Sequence, residues 1–127
     1  MSPVIAPLGV LLVSGGHERA QYALVLATGA AAVGREVVLF ATNAGCRLFE
    51  AARPLEADPR EARLAERGVA GIGTLLAAAE DLGIRCIACE AGLRAEDIAA
   101  GALRPGVEVA GVVTFLAAVG AGQIVTL

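Results

Sequence analysis

Short apolar runs that alternate with helical segments constrain the fold of this chain more than any other feature. The apolar runs lie at residues 8–14, 36–42, 84–90, 107–111 and 123–127. Segments with a helical pattern separate them, at 17–34, 69–83, near 94–101 and at 112–119. Continuous apolar strands separated by helices are typical of a parallel sheet covered on both faces. The pattern therefore predicts an α/β fold: a five-stranded parallel sheet in a flavodoxin-like three-layer sandwich.

Length and composition fit a single domain over residues 1–127. Hydrophobic residues make up 57% of the 127 residues, which is enough to bury a core. Residues 53–67 depart from this pattern, because they carry eight of the 23 charged residues and two prolines. We interpret them as a charged excursion from the fold. It is either a solvated loop or exposed helical turn, or a flap or docking surface near a site.

The stretch 109–127 contains no charged residue and is close to the length of a membrane-spanning helix, about 20 residues. It contains Thr114, Gln123 and Thr126, and glycines interrupt it in the segment VGAGQ. These residues favour a buried helix followed by a strand, so we expect no membrane span.

Charge and residue types exclude several classes of function. The net charge is −3 at pH 7 with no basic stripe, which argues against nucleic acid as a partner. All ten basic residues are arginine, so Schiff-base chemistry and the lysine of a Walker A phosphate loop are both excluded. The N-terminus lacks the charged start of a secretory signal, and the cysteine count is odd. We therefore expect a cytoplasmic protein with free thiols.

The loops that follow the first three strands are expected to line one rim of the sheet. Ligands of open α/β sheets bind beyond the carboxyl ends of the strands, where the strand order reverses. With the order 2-1-3-4-5, these loops would meet at that point. The candidate rim and anion-binding residues are Ser14, Gly15, Gly16, Asn43 and Cys46.

Two rim segments allow more than one interpretation. SGGHERA follows a strand and begins a helix, but it matches neither GxGxxG nor Walker A, and its glycines alone explain a tight turn. His17, the single histidine, is either a surface residue at the helix start or a group that acts at the rim. Asn43 is also expected to cap a short helix through CRLFEAA.

Cys86 and Cys89 form a Cys-Ile-Ala-Cys motif. Structural zinc needs four ligands, and only Cys46 and His17 from separate loops could complete the set, so we expect no metal site. A disulfide within an extended strand is disfavoured, because the two Cα atoms would lie about 10 Å apart with side chains on opposite faces. A pair that tightens into a turn at Ala88 would permit a CxxC thiol oxidoreductase, and this alternative stays open.

Cys89 is the candidate reactive thiol. It ends the third strand and precedes a segment whose helix N-terminus can stabilise a thiolate. Gly92 would let backbone N–H groups approach the sulfur. Arg94 and Arg85 would add positive potential, and Glu90 would oppose it. Such a thiolate can attack a sulfane sulfur and carry it as a persulfide. Cys86 and His17 are further candidate supports, although a cysteine inside a strand is more often an inert hydrophobic residue.

Three stretches resemble the DsrE/DsrF-like sulfur-relay family, in its DsrE-like, peroxiredoxin-like branch. VLLVSGG with ATGAAAVGREVVLFAT resembles the first two strands of that branch, and AAAEDLGIRCIACEAGL resembles its cysteine strand. GVEVAGVVTFLAAVGAGQIVTL resembles its C-terminal strand–helix–strand unit. The resemblance covers nearly the whole chain and implies a homo-oligomeric sulfur carrier. By position, Cys89 matches the cysteine on which that family forms a persulfide.

The function expected on these grounds is an intracellular sulfur carrier, similar to a sulfurtransferase, that relays sulfane sulfur from Cys89 to a partner thiol. The resemblance implies a rhodanese-like or TusA-like donor or acceptor, and the carrier role requires no metal or organic cofactor. The rival from another class is a non-catalytic small-ligand-binding or assembly module of the same fold, in which Cys89 is buried and unreactive.

Overall fold

A computed structural model describes residues 5–127 and builds them around a sheet of five strands. The strands are β1 (Leu8–Leu12), β2 (Val37–Ala41), β3 (Arg85–Cys89), β4 (Glu108–Ala110) and β5 (Gln123–Thr126). Every neighbouring pair is parallel. The predicted five-stranded parallel sheet is confirmed, and each strand lies within the apolar run that predicted it.

The connecting helices follow the predicted segments closely, with differences at two loops. They are α1 (His17–Ala32), α2 (Pro59–Glu66), α3 (Ile72–Asp81), α4 (Glu90–Ala95) and α5 (Val112–Val119), with 3-10 helices at Asn43–Phe49, Pro54–Ala57 and Ala100–Ala102. The helix expected near 94–101 is misplaced: α4 begins directly after Cys89 and ends at Ala95, so it shares only residues 94 and 95 with the predicted segment. The prediction that Asn43 caps the next helix is wrong, because the 3-10 helix begins at Asn43 itself, whose φ is +50°.

Alternation along the strands divides the core into two layers of side chains. Leu8, Val10 and Leu12 of β1 point to the face covered by α1 and α3, together with Leu39 of β2. Phe40 of β2 points to the opposite face, where it stacks on Phe115 of α5 at a centroid distance of 4.8 Å. Helices therefore cover both faces, and the arrangement is a flavodoxin-like three-layer sandwich.

The strand order differs from the one used to place the rim. The sheet runs β4-β3-β2-β1-β5, not 2-1-3-4-5, so β2 lies between β1 and β3. The two orders share the β1–β2 and β3–β4 pairs. They differ in two others, because β3 joins β2 instead of β1 and β5 joins β1 instead of β4. The loops after β1, β2 and β3 still meet, because three adjacent parallel strands end at the same edge of the sheet.

The charged excursion at 53–67 is largely helical. Asp58 begins α2 by accepting a hydrogen bond from the backbone N–H of Arg60 at 2.8 Å, and Pro59 occupies the first helical position. Both residue types are favoured at these positions of a helix start. Within the first interpretation from sequence, an exposed helical segment describes these residues better than a loop. The second interpretation, a flap or docking surface near a site, stays a prediction.

The uncharged stretch 109–127 forms a helix and a strand, as predicted, but the helix is only partly buried. Phe115 and Val119 of α5 face the sheet, whereas Val112, Val113 and Leu116 are exposed on its outer side. The expectation of a fully buried unit is therefore wrong for the outer side of α5. Within residues 5–127, every helix is too short or too polar to cross a membrane.

Gly9 allows α5 to pack closely against β1. A Cβ at this position would lie 2.5 Å from Val119 Cγ2 and 2.9 Å from Phe115 Cζ. Gly9→Ala should therefore lower the free energy of unfolding by about 1–3 kcal/mol through overpacking. Gly29→Ala is the matched control, because a Cβ at Gly29 in α1 would meet no atom within 4 Å. That change should raise stability by roughly 0.5–1 kcal/mol.

Urea unfolding of both variants measures the difference. Equal stability of the two variants would contradict the close packing of α5 on β1.

Candidate functional site

Three loops meet at the carboxyl edge of the sheet, and glycines allow them to come together. A Cβ on Gly45 would overlap the carbonyl oxygen of Leu12, and one on Gly15 would lie 2.8 Å from Ala44 Cβ. A Cβ on Gly92 would lie 2.5 Å from the backbone N of Asn43. The loop after β2 therefore contacts the loop after β1 on one side and the start of α4 on the other.

The predicted rim residues take up different positions along this edge. Ser14 and Gly15 are half-buried, Gly16 and Asn43 are exposed, and Cys46 is fully buried. The Ser14 hydroxyl accepts a hydrogen bond from the backbone N–H of Gly16 at 3.2 Å, which shapes the turn into α1. The three loops therefore meet at one edge, with Cys46 buried instead of exposed there; anion binding by these residues stays a prediction.

Cys89 is the last residue of β3 and the N-cap of α4. Its Sγ accepts a hydrogen bond from the backbone N–H of Gly92 at 3.4 Å, the position that a serine or aspartate oxygen occupies in an ordinary cap. The residue is 8% exposed and packs beside Phe40, Ile87 and Phe115 on the face covered by α5. The sulfur is therefore nearly covered by hydrocarbon, with a backbone donor directed at it.

The two arginines expected to act near Cys89 have carboxylate partners of their own. Arg94 pairs with Glu90 at 3.1 Å across one turn of α4, and both side chains are exposed. Arg85 donates two hydrogen bonds to Glu108, each of 2.9 Å, and they hold the pKa of that carboxyl below its usual range. The charge of each arginine is therefore largely neutralised, and the polar contact recorded for Cys89 Sγ comes from the Gly92 N–H.

Cys46 lies next to the backbone of Cys89 and has a different environment. Its thiol donates to the carbonyl of Ala41 at 3.4 Å, and the backbone N–H of Cys89 points at its sulfur. Burial raises the pKa of the Cys46 thiol to about 11, and the Cys89 N–H opposes part of that rise. Cys46 is thus held in the neutral form.

Cys86 lies on the opposite face of the sheet from Cys89. It packs against the layer under α1 and α3, whereas Cys89 belongs to the layer under α5. Because both residues lie within the extended strand β3, their thiols cannot form a disulfide without a backbone rearrangement. Burial raises the pKa of the Cys86 thiol to about 11. This geometry disfavours the CxxC oxidoreductase alternative.

His17 is buried at the start of α1 and holds three helices together. Its Nε2 lies 2.7 Å from Oε1 of Glu61 in α2. The same oxygen accepts a hydrogen bond from the backbone N–H of Ile72, the first residue of α3, also at 2.7 Å. His17 is therefore neither a surface residue nor directed at Cys89: its partner is a carboxylate from the charged excursion.

Two residues of this region gave no signal in the sequence. Thr42 packs against the start of α4, where its Oγ1 would lie 2.6 Å from a Cβ on Gly92. Glu61 is one of eight charged residues in its segment, and nothing local distinguishes it as the partner of His17. Within residues 5–127, no group of three or more His, Cys, Asp or Glu side chains is placed to hold a metal ion.

Comparison with known proteins supports the fold. No protein-family model matches the sequence, and no curated protein matches it. The crystal structure of the YchN protein from E. coli is similar, with a TM-score of 0.74 and 15% identity over 97% of this chain and 100% of that one. A protein of unknown function from Methanobacterium thermoautotrophicum, MTH1491, has a TM-score of 0.57 and 16% identity over 95% and 99%. At these identities the likeness is one of fold.

The raised pKa of Cys46 predicts a loss of stability at alkaline pH. Between the ordinary thiol pKa of 9.0 and about 11, Cys46 ionises in the unfolded chain while it stays protonated in the folded one. The contribution of the neutral Cys46 thiol to the free energy of unfolding is thus complete below pH 9 and declines as the pH rises towards 11. Cys46→Ala should reduce this alkaline loss by roughly 1–2 kcal/mol, measured as the difference in urea stability between pH 8 and pH 10.5. An unchanged loss in Cys46→Ala would show that this thiol is not held neutral by burial.

Proposed function

We propose that this chain is a sulfur carrier that accepts a sulfane sulfur atom on Cys89 and relays it to a partner thiol. The observation that carries the proposal is the position of Cys89 Sγ, at a strand end and accepting the N–H of Gly92. The resemblance to the DsrE/DsrF-like family and the similarity of fold to YchN support it. The role requires neither a metal nor an organic cofactor.

The Gly92 N–H suits a sulfur that carries negative charge. A backbone donor at the first turn of a helix stabilises an anion, and a persulfide is an anion at neutral pH. The glycine packs between Thr42 and Asn43, so its N–H is held in place instead of moving with a mobile loop. The donor is therefore oriented before the substrate arrives.

The transfer is an exchange of sulfur between thiols without net oxidation. The Cys89 thiolate attacks the outer sulfur of a donor persulfide, a new bond forms to Cys89 Sγ, and the donor thiolate leaves. An acceptor thiolate then attacks the same outer sulfur and releases Cys89 as a thiolate. A rhodanese-like or TusA-like protein supplies a thiol of the required kind as donor or acceptor.

The protein should gain sulfur, and this gain should depend on Cys89. After treatment with polysulfide and removal of excess reagent, intact-protein mass spectrometry should show the addition of one or more sulfur atoms. Cys89→Ser should lose at least about nine tenths of this addition, because serine cannot form the sulfur–sulfur bond. Cys86→Ser, on the opposite face of the same strand, is the matched control and should retain it.

The other outcomes are equally informative. Sulfur that persists in Cys89→Ser, or wild-type protein that gains none, would contradict the carrier proposal. A loss of two hydrogens that requires both Cys86 and Cys89 would instead support the thiol oxidoreductase.

The near burial of Cys89 favours a second candidate, a non-catalytic small-ligand-binding or assembly module of the same fold. With 8% of the residue exposed, a bulky donor cannot reach the sulfur without local movement. In that case the exposed rim residues Gly16 and Asn43 would contact a small anion, and Cys89 would serve only as a helix cap.

We further propose that the chain associates with copies of itself through the outer side of α5. Val112, Val113 and Leu116 share one side of the helix, with exposures of 50%, 76% and 50%. The stretch 109–127 carries no charged residue that would select a charged partner. An apolar, neutral surface of this kind is complementary to itself, as a two-fold interface requires.

Val113→Glu should disrupt this association, because the carboxylate would be buried between two copies. Sedimentation velocity at micromolar concentration should show wild-type protein as an oligomer and Val113→Glu shifted towards monomer. Val33→Glu is the matched control, because Val33 is 72% exposed at the end of α1, away from α5. A wild-type monomer, or two variants that behave alike, would contradict the proposed interface.

A further inference from the structure

A cavity of about 110 Å³ lies beside α3, and Cys86 of β3 forms part of its wall. Apolar residues of a 3-10 helix, of α3 and of the segments just before β3 and β4 form half of the lining: Phe49, Leu76, Ala79, Ile84 and Val107. Arg104, Pro105 and Gly106 complete it from the loop before β4, and Glu80 lies at its edge. Because Cys86 and Cys89 point to opposite faces of β3, this cavity is separate from the proposed carrier site.

Arg104 is the polar group that distinguishes this cavity. Its Nη1 is buried and makes no hydrogen bond with residues 5–127. Arg104 itself is half-buried, and no carboxylate of residues 5–127 forms an ion pair with it. A buried guanidinium nitrogen without an acceptor is costly, and a bound anion would remove that cost.

We propose that this cavity binds a short-chain carboxylate, with its carboxylate on Arg104 and its alkyl chain against Phe49, Leu76 and Ile84. The proposal does not depend on the sulfur-carrier function. An arginine matches the planar carboxylate with paired donors. A cavity of 150 Å³ accommodates benzene, so this one fits a molecule of about three or four carbons. An apolar wall with one oriented polar group is typical of a small-molecule site.

The electrostatics of Cys86 are consistent with a cationic group facing the cavity. Arg104 lowers the pKa of the Cys86 thiol against the larger effect of burial. The guanidinium therefore acts on the cavity wall as a positive charge, which the carboxylate of Glu108 partly opposes.

Methyl-resolved NMR of the full chain tests the proposal with sodium butyrate as the probe and sodium chloride as the ionic-strength control. Butyrate should shift the methyl signals of Leu76, Ile84 and Val107 saturably at millimolar concentration. Butyramide, which has the same shape without the charge, should bind at least about tenfold more weakly, since an arginine hydrogen bond to a charged group contributes about 1.5–3 kcal/mol. The comparison of butyrate with butyramide uses the wild-type protein, so its result does not depend on the folding of a variant.

Arg104→Gln should weaken butyrate binding by about tenfold or more. Arg67 is exposed at the end of α2, so Arg67→Gln is the matched control and should leave butyrate binding unchanged. Thermal unfolding of Arg104→Gln confirms that the variant is folded. The proposal is overturned by an absence of saturable shifts, by equal binding of butyrate and butyramide, or by unchanged binding in folded Arg104→Gln. None of these outcomes bears on sulfur transfer at Cys89.

Discussion

The close approach of three backbone segments at the carboxyl edge of the sheet is the constraint on which the rest of this structure depends. Gly45 rests on the carbonyl of Leu12, Gly15 on Ala44, and Gly92 on the Thr42–Asn43 backbone. A side chain at Gly45 or Gly92 would collide with backbone atoms, which cannot rotate away as a flexible side chain can. The contact with Gly92 fixes the start of α4, and the start of α4 orients the N–H that meets Cys89 Sγ.

The same packing gives the three thiols three different environments. Cys89 ends β3 with a backbone donor on its sulfur, and Cys46 is fully buried next to the Cys89 backbone, with its pKa raised to about 11. Cys86 lies on the other face of the sheet, beside a cavity and a cation. The alternation of strand β3 therefore gives the two thiols of the Cys-Ile-Ala-Cys motif different surroundings. For this reason we proposed sulfur transfer at Cys89 and ligand binding in the cavity beside Cys86.

Local patterns in the sequence predicted the elements well, and long-range packing decided what they could not predict. Apolar runs and helix-ending glycines located all five strands, and the end of β3 located Cys89. The order of the strands depends on which neighbours β3 and β5 join, and the apolar sequences of these strands fit either order. The partner of His17 lies 44 residues away, in a segment whose charges look alike. The sequence also could not predict that one side of α5 is exposed. An apolar helix has the same sequence pattern whether the core or a second copy of the chain covers that side.

The central claim is that Cys89 reacts in the folded protein. The most direct test is a time course of native-state labelling with a small neutral thiol reagent, resolved for each cysteine by peptide mapping. The account predicts that Cys89 is labelled first, at a rate that low urea does not change, while Cys46 is labelled only as fast as the chain unfolds. If Cys89 is labelled no faster than Cys46, the sulfur is reached only by global unfolding, and it cannot serve as a carrier.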